Sequence, residues 1–241
     1  MTSERRIARS SVPSLFEREL PGLAWGTEVD LAADRLKHIR DAYHLGRAPA
    51  LQARRRIAAS WNRCREANVD PNVKRAPIGD GFDDLLAANE QLLRAADPVI
   101  ARLGDAFAGT GYVVMITDAR GTMLDIAGDD DACRRVARLD VAPGCNLSEC
   151  AVGTNAVGTA LADGRAFQLL AGEHYCDVGQ SLACAAAPIS RPGTSEIIGT
   201  IDITGDYRLA RAQLLPIVMQ AAHDIEELLA FEFTPANARG E

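Results

Sequence analysis

The spacing of apolar residues predicts helices at both ends of the chain. Apolar positions recur at helical intervals over residues 28–45 and 49–67, and the second of these segments carries Trp61 on its apolar face. A longer helix is predicted over residues 82–107, and a final one over residues 209–231. We interpret Trp61 as a packing anchor for the N-terminal helical region.

The middle of the chain has the pattern of strands. A continuous apolar run covers residues 112–118, and a tight turn leads into a second strand at 122–127. Further strands are predicted over residues 166–171, 183–189 and 197–204. The order predicts an α+β fold, in which an antiparallel sheet is flanked by helices, with an N-terminal helical region and a long C-terminal helix.

The long helices carry apolar seams that predict a homodimer. In the last helix the apolar residues keep alternating intervals of four and three, which is typical of a coiled coil. This seam consists of Leu214, Val218, Ala221, Ile225 and Leu228. The preceding long helix offers a second stripe through Leu92, Val99 and Leu103.

A glycine-rich stretch over residues 143–164 is the most distinctive part of the sequence. It reads PGCNLSECAVGTNAVGTALADG, which predicts a loop over 143–152 and a helix over 154–163 that ends at Gly164. Gly158 inside that helix costs about 1 kcal/mol relative to Ala, so we expect close packing against the sheet. No complete phosphate-binding motif is present.

We expect a small ligand to lie between the sheet and this stretch. Glycine allows close backbone approach, and polar side chains near it can converge on a ligand. The candidate ligand-binding residues are Glu149, Gly153, Thr154, Asn155, Glu173 and His174. For His174 the alternative interpretation is a histidine whose hydrogen bonds shape its own loop.

Six cysteines are present, and three of them are redox candidates. Cys145 and Cys150 share the loop near a helix N-terminus, which favours a thiolate, and Cys176 is their possible partner. A purely structural role is the main alternative, and a zinc or haem site with His174 is another. The cysteine spacing fits no CxxC pair, so we predict no metal ligands, and no catalytic residues are evident.

Charge and hydropathy limit the kinds of partner. Residues 1–75 carry 15 Lys/Arg against 9 Asp/Glu, whereas residues 76–241 carry 11 against 24. The acidic main body repels phosphate backbones, so we expect no direct nucleic-acid binding. No apolar run reaches the length of a membrane span and the start lacks a signal-peptide core, which predicts a cytoplasmic protein.

Several motifs in the same order carry a family resemblance. They are IAASWNRCREANVDP, SECAVGTNAVGTAL, GEHY, CAAAPIS and IIGTIDITG, within residues 57–71 and 111–205. This set resembles the N-terminal region, with its GAF sensor domain, of acetoin-type sigma-54-dependent transcriptional activators. One departure is Leu147, which stands where that family usually has an aromatic residue, and cysteines flank the motif.

The resemblance implies a GAF-like, six-stranded type of antiparallel sheet with an effector pocket between sheet and helices. It also implies control of an AAA+ ATPase domain, followed by a helix-turn-helix; neither has a motif here, so we expect the sensory part alone and no enzyme. The effector and any cofactor are not specified. The alternatives are a redox or metal/haem sensor of the same fold, and a GAF-fold methionine sulfoxide reductase using Cys145, Cys150 and Cys176.

The predicted domain organisation has four segments. Residues 1–27 are predicted to be a disordered lead-in, and residues 28–81 an N-terminal helical region and linker. Residues 82–232 form the predicted GAF sensor domain with its flanking helices, and residues 233–241 a disordered tail.

Overall fold

A computed structural model describes residues 27–47 and 53–233. The predicted disordered segments therefore lie outside the described residues, except for Thr27 and Phe233 at helix ends. The helices are α1 (Thr27–His44), α2 (Arg55–Glu66), α3 (Phe82–Ala88), α4 (Glu90–Phe107), α5 (Asp130–Ala137), α6 (Glu149–Val152), α7 (Ala156–Asp163) and α8 (Leu214–Phe233). None of the helices in the described ranges is both long enough and apolar enough to cross a membrane.

Five strands form one antiparallel sheet, which confirms the predicted α+β class. They are β1 (Tyr112–Asp118), β2 (Met123–Gly128), β3 (Phe167–Leu170), β4 (Leu182–Ser190) and β5 (Ile197–Asp206). Their order across the sheet is β2-β1-β5-β4-β3, and every neighbouring pair is antiparallel. The central strand β5 is therefore hydrogen-bonded to a neighbour along both of its edges.

The sheet has five strands in the described chain, where the resemblance implied six. Beside β2 the chain makes only isolated bridges, which join Ile78 to Cys145 and Thr122 to Asn146. The Met123 amide donates to the Cys145 carbonyl, and the Gly144 amide donates to the Met123 carbonyl. Gly144 has φ of 89°, so the chain turns there and pairing does not extend into a strand.

One face of the sheet packs against α4 and α8. Alternate strand residues, including Ile201 and Ile203 of β5, share an apolar cluster with both helices. The predicted coiled-coil seam of α8 lies in this cluster, since Leu214, Val218, Ala221 and Ile225 are all buried there. The seam is thus satisfied within the chain, and only Leu228 of that set is exposed. The interpretation of this seam as a dimer contact is wrong.

The predicted helix over residues 82–107 is two helices in the structure. Asn89 separates α3 from α4 with backbone angles outside the helical region, φ −111° and ψ 14°. Its side-chain amide donates to the Leu85 carbonyl and so satisfies an acceptor at the end of α3. Pro98 lies inside α4, which continues through it.

The opposite face of the sheet is covered by α5, α7 and the loops between strands, and α1 and α2 pack on the outside of these loops. Trp61 of α2 is buried, and its indole Nε1 donates to the Glu173 carbonyl at 2.9 Å. Its ring packs against Tyr43 of α1, with ring centres 5.0 Å apart. The prediction of Trp61 as a packing anchor is confirmed, and it joins α1, α2 and the loop after β3.

Candidate functional site

A small cavity lies between the sheet and the glycine-rich segment. It leaves about 40 Å³ for the centres of water-sized molecules, which is enough for about three waters. The lining residues are Met115, Val141, Leu147, Val152, Asn155, Ala156, Val157, His174, Val178, Gly179, Leu182, Cys184, Asp202 and Thr204. Most of this surface is apolar, so the few polar groups determine what the cavity can bind.

Asn155 builds the wall of the cavity formed by α7. Its Oδ1 accepts from the Gly158 amide at 3.0 Å and caps the helix, while its Nδ2 donates to the carbonyls of Leu147 and Gly153 at 2.8 Å. Gly164 ends the helix with φ of 63°. One side chain therefore fixes both the start of α7 and the preceding loop.

Gly158 is packed tightly, but against the loop and not against the sheet as predicted. A Cβ at this position would lie 2.6 Å from the Glu149 amide nitrogen and 2.8 Å from the Leu147 carbonyl oxygen. Both are backbone atoms, which cannot rotate away as a side chain does. The predicted loop over 143–152 contains the short helix α6, and its first turn is what approaches α7.

Glu149 is held by α2 and is not among the residues that line the cavity. Its carboxylate accepts from Arg63 Nε and Nη2, both at 2.7 Å, and from Ser60 Oγ at 2.5 Å. Thr159 of α7 donates to the same carboxylate at 2.9 Å. The carboxylate therefore joins α2, α6 and α7, with little capacity left for a ligand.

Thr154 and Glu173 also form hydrogen bonds with α2 and with Arg54, the residue that directly precedes it. Thr154 Oγ1 lies 2.6 Å from Ser60 Oγ. The carboxylate of Glu173 accepts from Arg54 Nε at 2.6 Å and Nη2 at 2.7 Å. The segment that contains Arg54 and the SW-x-R motif (Ser60, Trp61 and Arg63) thus binds the loops on both sides of the cavity. These contacts lie on the side of the loops that faces away from the cavity.

Of the six candidate ligand-binding residues, Asn155 and His174 line the cavity. Gly153 has a backbone role. It adopts a positive φ of 65°, and a Cβ there would lie 2.6 Å from the Tyr175 Cβ. Sequence reasoning identified the polar residues of the loops but not their partners, because ion pairs with a distant helix leave no local pattern.

His174 is fully enclosed beside the sheet. Its Nδ1 lies 3.1 Å from the Ala171 carbonyl, so Nδ1 carries the proton, and Nε2 lies 3.4 Å from Cys184 Sγ. Burial lowers the pKa of His174 to about 4. The ring is therefore neutral at pH 7, and both of its nitrogens have partners in the protein.

Asp202 is the functional candidate that sequence reasoning missed. It lies on the central strand β5, is buried, and lines the cavity. Thr204 Oγ1 donates to Asp202 Oδ1 at 2.6 Å, whereas Oδ2 has no hydrogen-bond partner among the described residues. Burial raises the pKa of Asp202 to about 7. The signal in the sequence was an acidic residue between Ile201 and Ile203 on a strand with both faces covered.

The buried cysteines do not have the environment of reactive thiolates. Burial raises the pKa of Cys145 to about 11 and that of Cys176 to about 12, which is opposite to the predicted effect of a helix N-terminus. Cys150 is exposed, and all six cysteines are free thiols. Within the described residues there is no group of three His, Cys, Asp or Glu side chains placed to hold a metal ion.

Comparison with known families identifies the chain from residue 43 to residue 227. Over that range it matches the family model for the MimR N-terminal domain. The chain belongs to this family. MimR of Mycolicibacterium smegmatis, a propane 2-monooxygenase operon transcriptional activator, is 34% identical over 174 residues, which is 72% of this chain and 29% of MimR.

Two further relatives agree with this assignment. AcoR of Bacillus subtilis, an acetoin dehydrogenase operon transcriptional activator, is 31% identical over 73% of this chain and 30% of its own length. The predicted resemblance to acetoin-type activators is therefore confirmed. The structure of an Escherichia coli DhaR(N)–DhaL complex shares the fold, with a TM-score of 0.69 and 23% identity over 76% of this chain and 63% of that one. The chain spans under a third of the length of MimR and AcoR.

Proposed function

We propose that the chain is the signal-sensing domain of a sigma-54-dependent transcriptional activator, and that a small-molecule effector binds the cavity above β5. The observation that carries this proposal is a partly open, mostly apolar cavity lined by Asp202, a buried acid with one carboxylate oxygen that has no hydrogen-bond partner among the described residues. Such a cavity, with few polar groups, is the usual form of a small-molecule site. In this proposal the fold is a GAF-like sensor, and the domain itself neither catalyses a reaction nor binds DNA.

The relatives support a regulatory role in a longer protein. Both MimR and AcoR are named as transcriptional activators, and the chain covers less than a third of each. We therefore place the AAA+ ATPase that the effector controls outside this chain. The relatives' names mention propane and acetoin, both small aliphatic molecules.

The thiol-based alternatives have less support. A methionine sulfoxide reductase or a cysteine redox sensor requires an accessible thiolate, whereas Cys145 and Cys176 are buried with raised pKa values. Cys150 is exposed but lies apart from the cavity lining. We therefore retain effector binding as the function and treat the buried thiols as packing groups.

Strand β5 offers a direct route from the cavity to the C-terminal helix. Asp202 and Thr204 line the cavity, while Ile201 and Ile203 pack in the cluster that contains Val218 of α8. Because alternate residues of a strand point to opposite faces, a shift of β5 on ligand binding moves both layers. We propose that α8 carries this change towards the ATPase.

We also propose that two copies pair along the outer face of α8. Ile217, Leu228 and Phe231 are exposed, and their spacing places them on one side of the helix. This stripe shares Leu228 with the predicted seam, whose other four residues are buried. An ion pair between Asp224 of α8 and Arg102 of α4 lies near its middle and fixes the two helices together.

A screen of small metabolites by thermal unfolding tests the effector proposal. Ala156→Val adds two methyl groups in the cavity wall, and Val152→Ile adds one on another wall, so both should remove the stabilisation that a true effector produces in the wild-type chain. Circular dichroism checks that the variants fold. A compound that stabilises wild type and both variants equally would place the effector site elsewhere.

A further inference from the structure

The unpartnered oxygen of Asp202 is the chemical feature of the cavity that nothing else in the described protein accounts for. Asp202 is 1% exposed, and its other oxygen is held by Thr204 at 2.6 Å. Native proteins rarely leave a buried carboxylate oxygen without a donor, because the loss of its hydration is costly. When Asp202 is ionised, this oxygen can therefore accept one hydrogen bond from a molecule in the cavity.

The other polar groups of the cavity are already satisfied within the protein. Asn155 uses its Oδ1 and its Nδ2 in capping α7 and fixing the loop. His174 uses Nδ1 with the Ala171 carbonyl and Nε2 with Cys184. Asp202 is thus the polar group with capacity to spare among those that we place around the cavity.

This inventory selects the chemical class of the ligand. A hydroxyl group has one hydrogen to donate, which matches the one free acceptor that Asp202 offers when it is ionised. An ammonium group has three hydrogens, so two would remain without acceptors among apolar side chains. An anionic ligand would face the carboxylate directly, and a hydrocarbon would leave Oδ2 without a donor.

The cavity also limits the size of the ligand. Room for about three waters, each occupying about 30 Å³ in the liquid, corresponds to an organic molecule of about three to five non-hydrogen atoms. Aliphatic carbons of such a molecule would contact Val152, Ala156, Val157 and Val178, which are among the apolar lining residues.

We propose that the cavity selects a small, uncharged aliphatic molecule with a hydroxyl group, and that Asp202 Oδ2 accepts the hydrogen bond from that hydroxyl. This inference rests on the proposed function, since it names the class of effector for the same cavity. Asp202 is then the residue that determines specificity, and the apolar walls contribute contact area.

Three probes of nearly equal shape test the proposal. They are 2-propanol, which has a hydroxyl donor, acetone, which has only an acceptor, and isopropylamine, which is a cation at pH 8. Each is titrated into the purified full chain at pH 8, and binding is followed by NMR of the methyl groups of Val152, Ala156, Val157 and Val178. We expect 2-propanol to bind at least about tenfold more tightly than acetone or isopropylamine, since a hydrogen bond to a charged group has this value or more.

The variant Asp202→Asn supplies the matched comparison. Its amide presents a nitrogen donor in place of the free oxygen if Thr204 keeps its bond to the amide oxygen, so the preference for 2-propanol over acetone should fall to about unity or reverse. Equal binding of 2-propanol and acetone to wild type overturns the role of Asp202. Tighter binding of isopropylamine overturns the uncharged class.

Failure of this inference is distinguishable from failure of the proposed function. If the two uncharged probes bind equally and Ala156→Val abolishes both, the cavity remains the effector site and only the role of Asp202 is wrong. If no probe shifts the methyl signals of the wild-type cavity, the inferred class is overturned, while the metabolite screen still tests effector binding.

Discussion

At the scale of single residues, Asp202 places an ionisable group where the fold disfavours its charge. Burial raises the pKa of Asp202 from 3.8 to about 7, and lowers that of the neighbouring His174 from 6.5 to about 4. The folded state therefore binds a proton on Asp202 more tightly than the unfolded chain, and binds one on His174 less tightly. Between pH 4 and 6.5, a rise in pH therefore lowers the free energy of unfolding through Asp202 and raises it through His174.

The variant Asp202→Asn should separate these two effects. In wild type, the Asp202 contribution to the free energy of unfolding falls as pH rises from about 4 to 7, by up to about 4 kcal/mol. The variant lacks that loss, so its stability relative to wild type should increase from pH 5 to pH 8. Urea unfolding at several pH values measures the difference. A difference that is constant with pH would show that Asp202 ionises normally.

Gly158→Ala should destabilise the chain although alanine favours helices. The new Cβ meets backbone atoms of Glu149 and Leu147, and we expect a loss of about 1–3 kcal/mol from overpacking. Gly79→Ala is the matched control, because nothing lies within 4 Å of a Cβ there. Chemical denaturation measures the free energy of unfolding of both variants. Equal stability of the two would contradict the close packing of Gly158 against the backbone of Glu149 and Leu147.

Residue-level roles were predictable where the cause is local. The stop at Gly164 follows from short-range helix chemistry and was predicted from the sequence, and the cap by Asn155 has the same local cause. The partners of Glu149 and Glu173 were not predictable, because Arg63 and Arg54 lie 86 and 119 positions away. Asp202 was missed because polar residues that alternate with apolar ones on a strand are typical of a face open to water, whereas helices and loops cover both faces of β5.

At the scale of elements, α2 acts as a brace for the cavity walls. Arg63 and Ser60 bind Glu149 from one side, and Trp61 binds the Glu173 carbonyl on the other. This arrangement explains why the SW-x-R motif and the glycine-rich motif occur together. A change in either wall is transmitted to α2 through charged hydrogen bonds, which depend strongly on geometry.

Arg63→Ala tests the brace. It removes both guanidinium bonds to Glu149 and leaves that carboxylate poorly paired, so we expect a loss of about 1.5–3 kcal/mol in stability. Arg55→Ala is the control on the same helix, because Arg55 is exposed, and it should change stability by less than about 0.5 kcal/mol. If the two variants unfold at the same denaturant concentration, α2 does not hold the wall through Glu149.

Helix existence was easier to predict than helix partners. The alternating intervals of four and three residues in α8 correctly predicted one apolar side of a helix. They could not show whether that side packs against a second chain or against the sheet of the same chain. The structure resolves this, since Val218 and Ile225 are fully buried against the sheet layer. Similarly, the apolar pattern continued through Asn89, and only the backbone there shows the division of α3 from α4.

At the scale of the whole molecule, the outer stripe of α8 is where a second copy would bind. Light scattering at micromolar concentration should give about twice the chain mass of 25.8 kDa for wild type. Phe231→Glu should reduce it to the monomer mass, since Phe231 is 73% exposed on that stripe. Met219→Glu, on another side of the helix, should leave the dimer intact. A monomeric wild type would contradict pairing.

The whole account depends on the sheet connecting the cavity on one face with α8 on the other. Asp202 belongs to the first layer, and Ile201 and Ile203 on the same strand belong to the second. A ligand that binds Asp202 should therefore alter both layers, whereas a ligand at the surface would affect one. This is the central claim about how the domain senses a signal.

Amide hydrogen exchange of the full chain with and without 2-propanol tests that claim most directly. We predict slower exchange in β5 and in α8, residues 214–233, for the wild type, and no change in Ala156→Val, whose cavity is filled. Slower exchange confined to the cavity walls, with α8 unchanged, would contradict transmission through the sheet. Identical changes in wild type and Ala156→Val would contradict binding in the cavity itself.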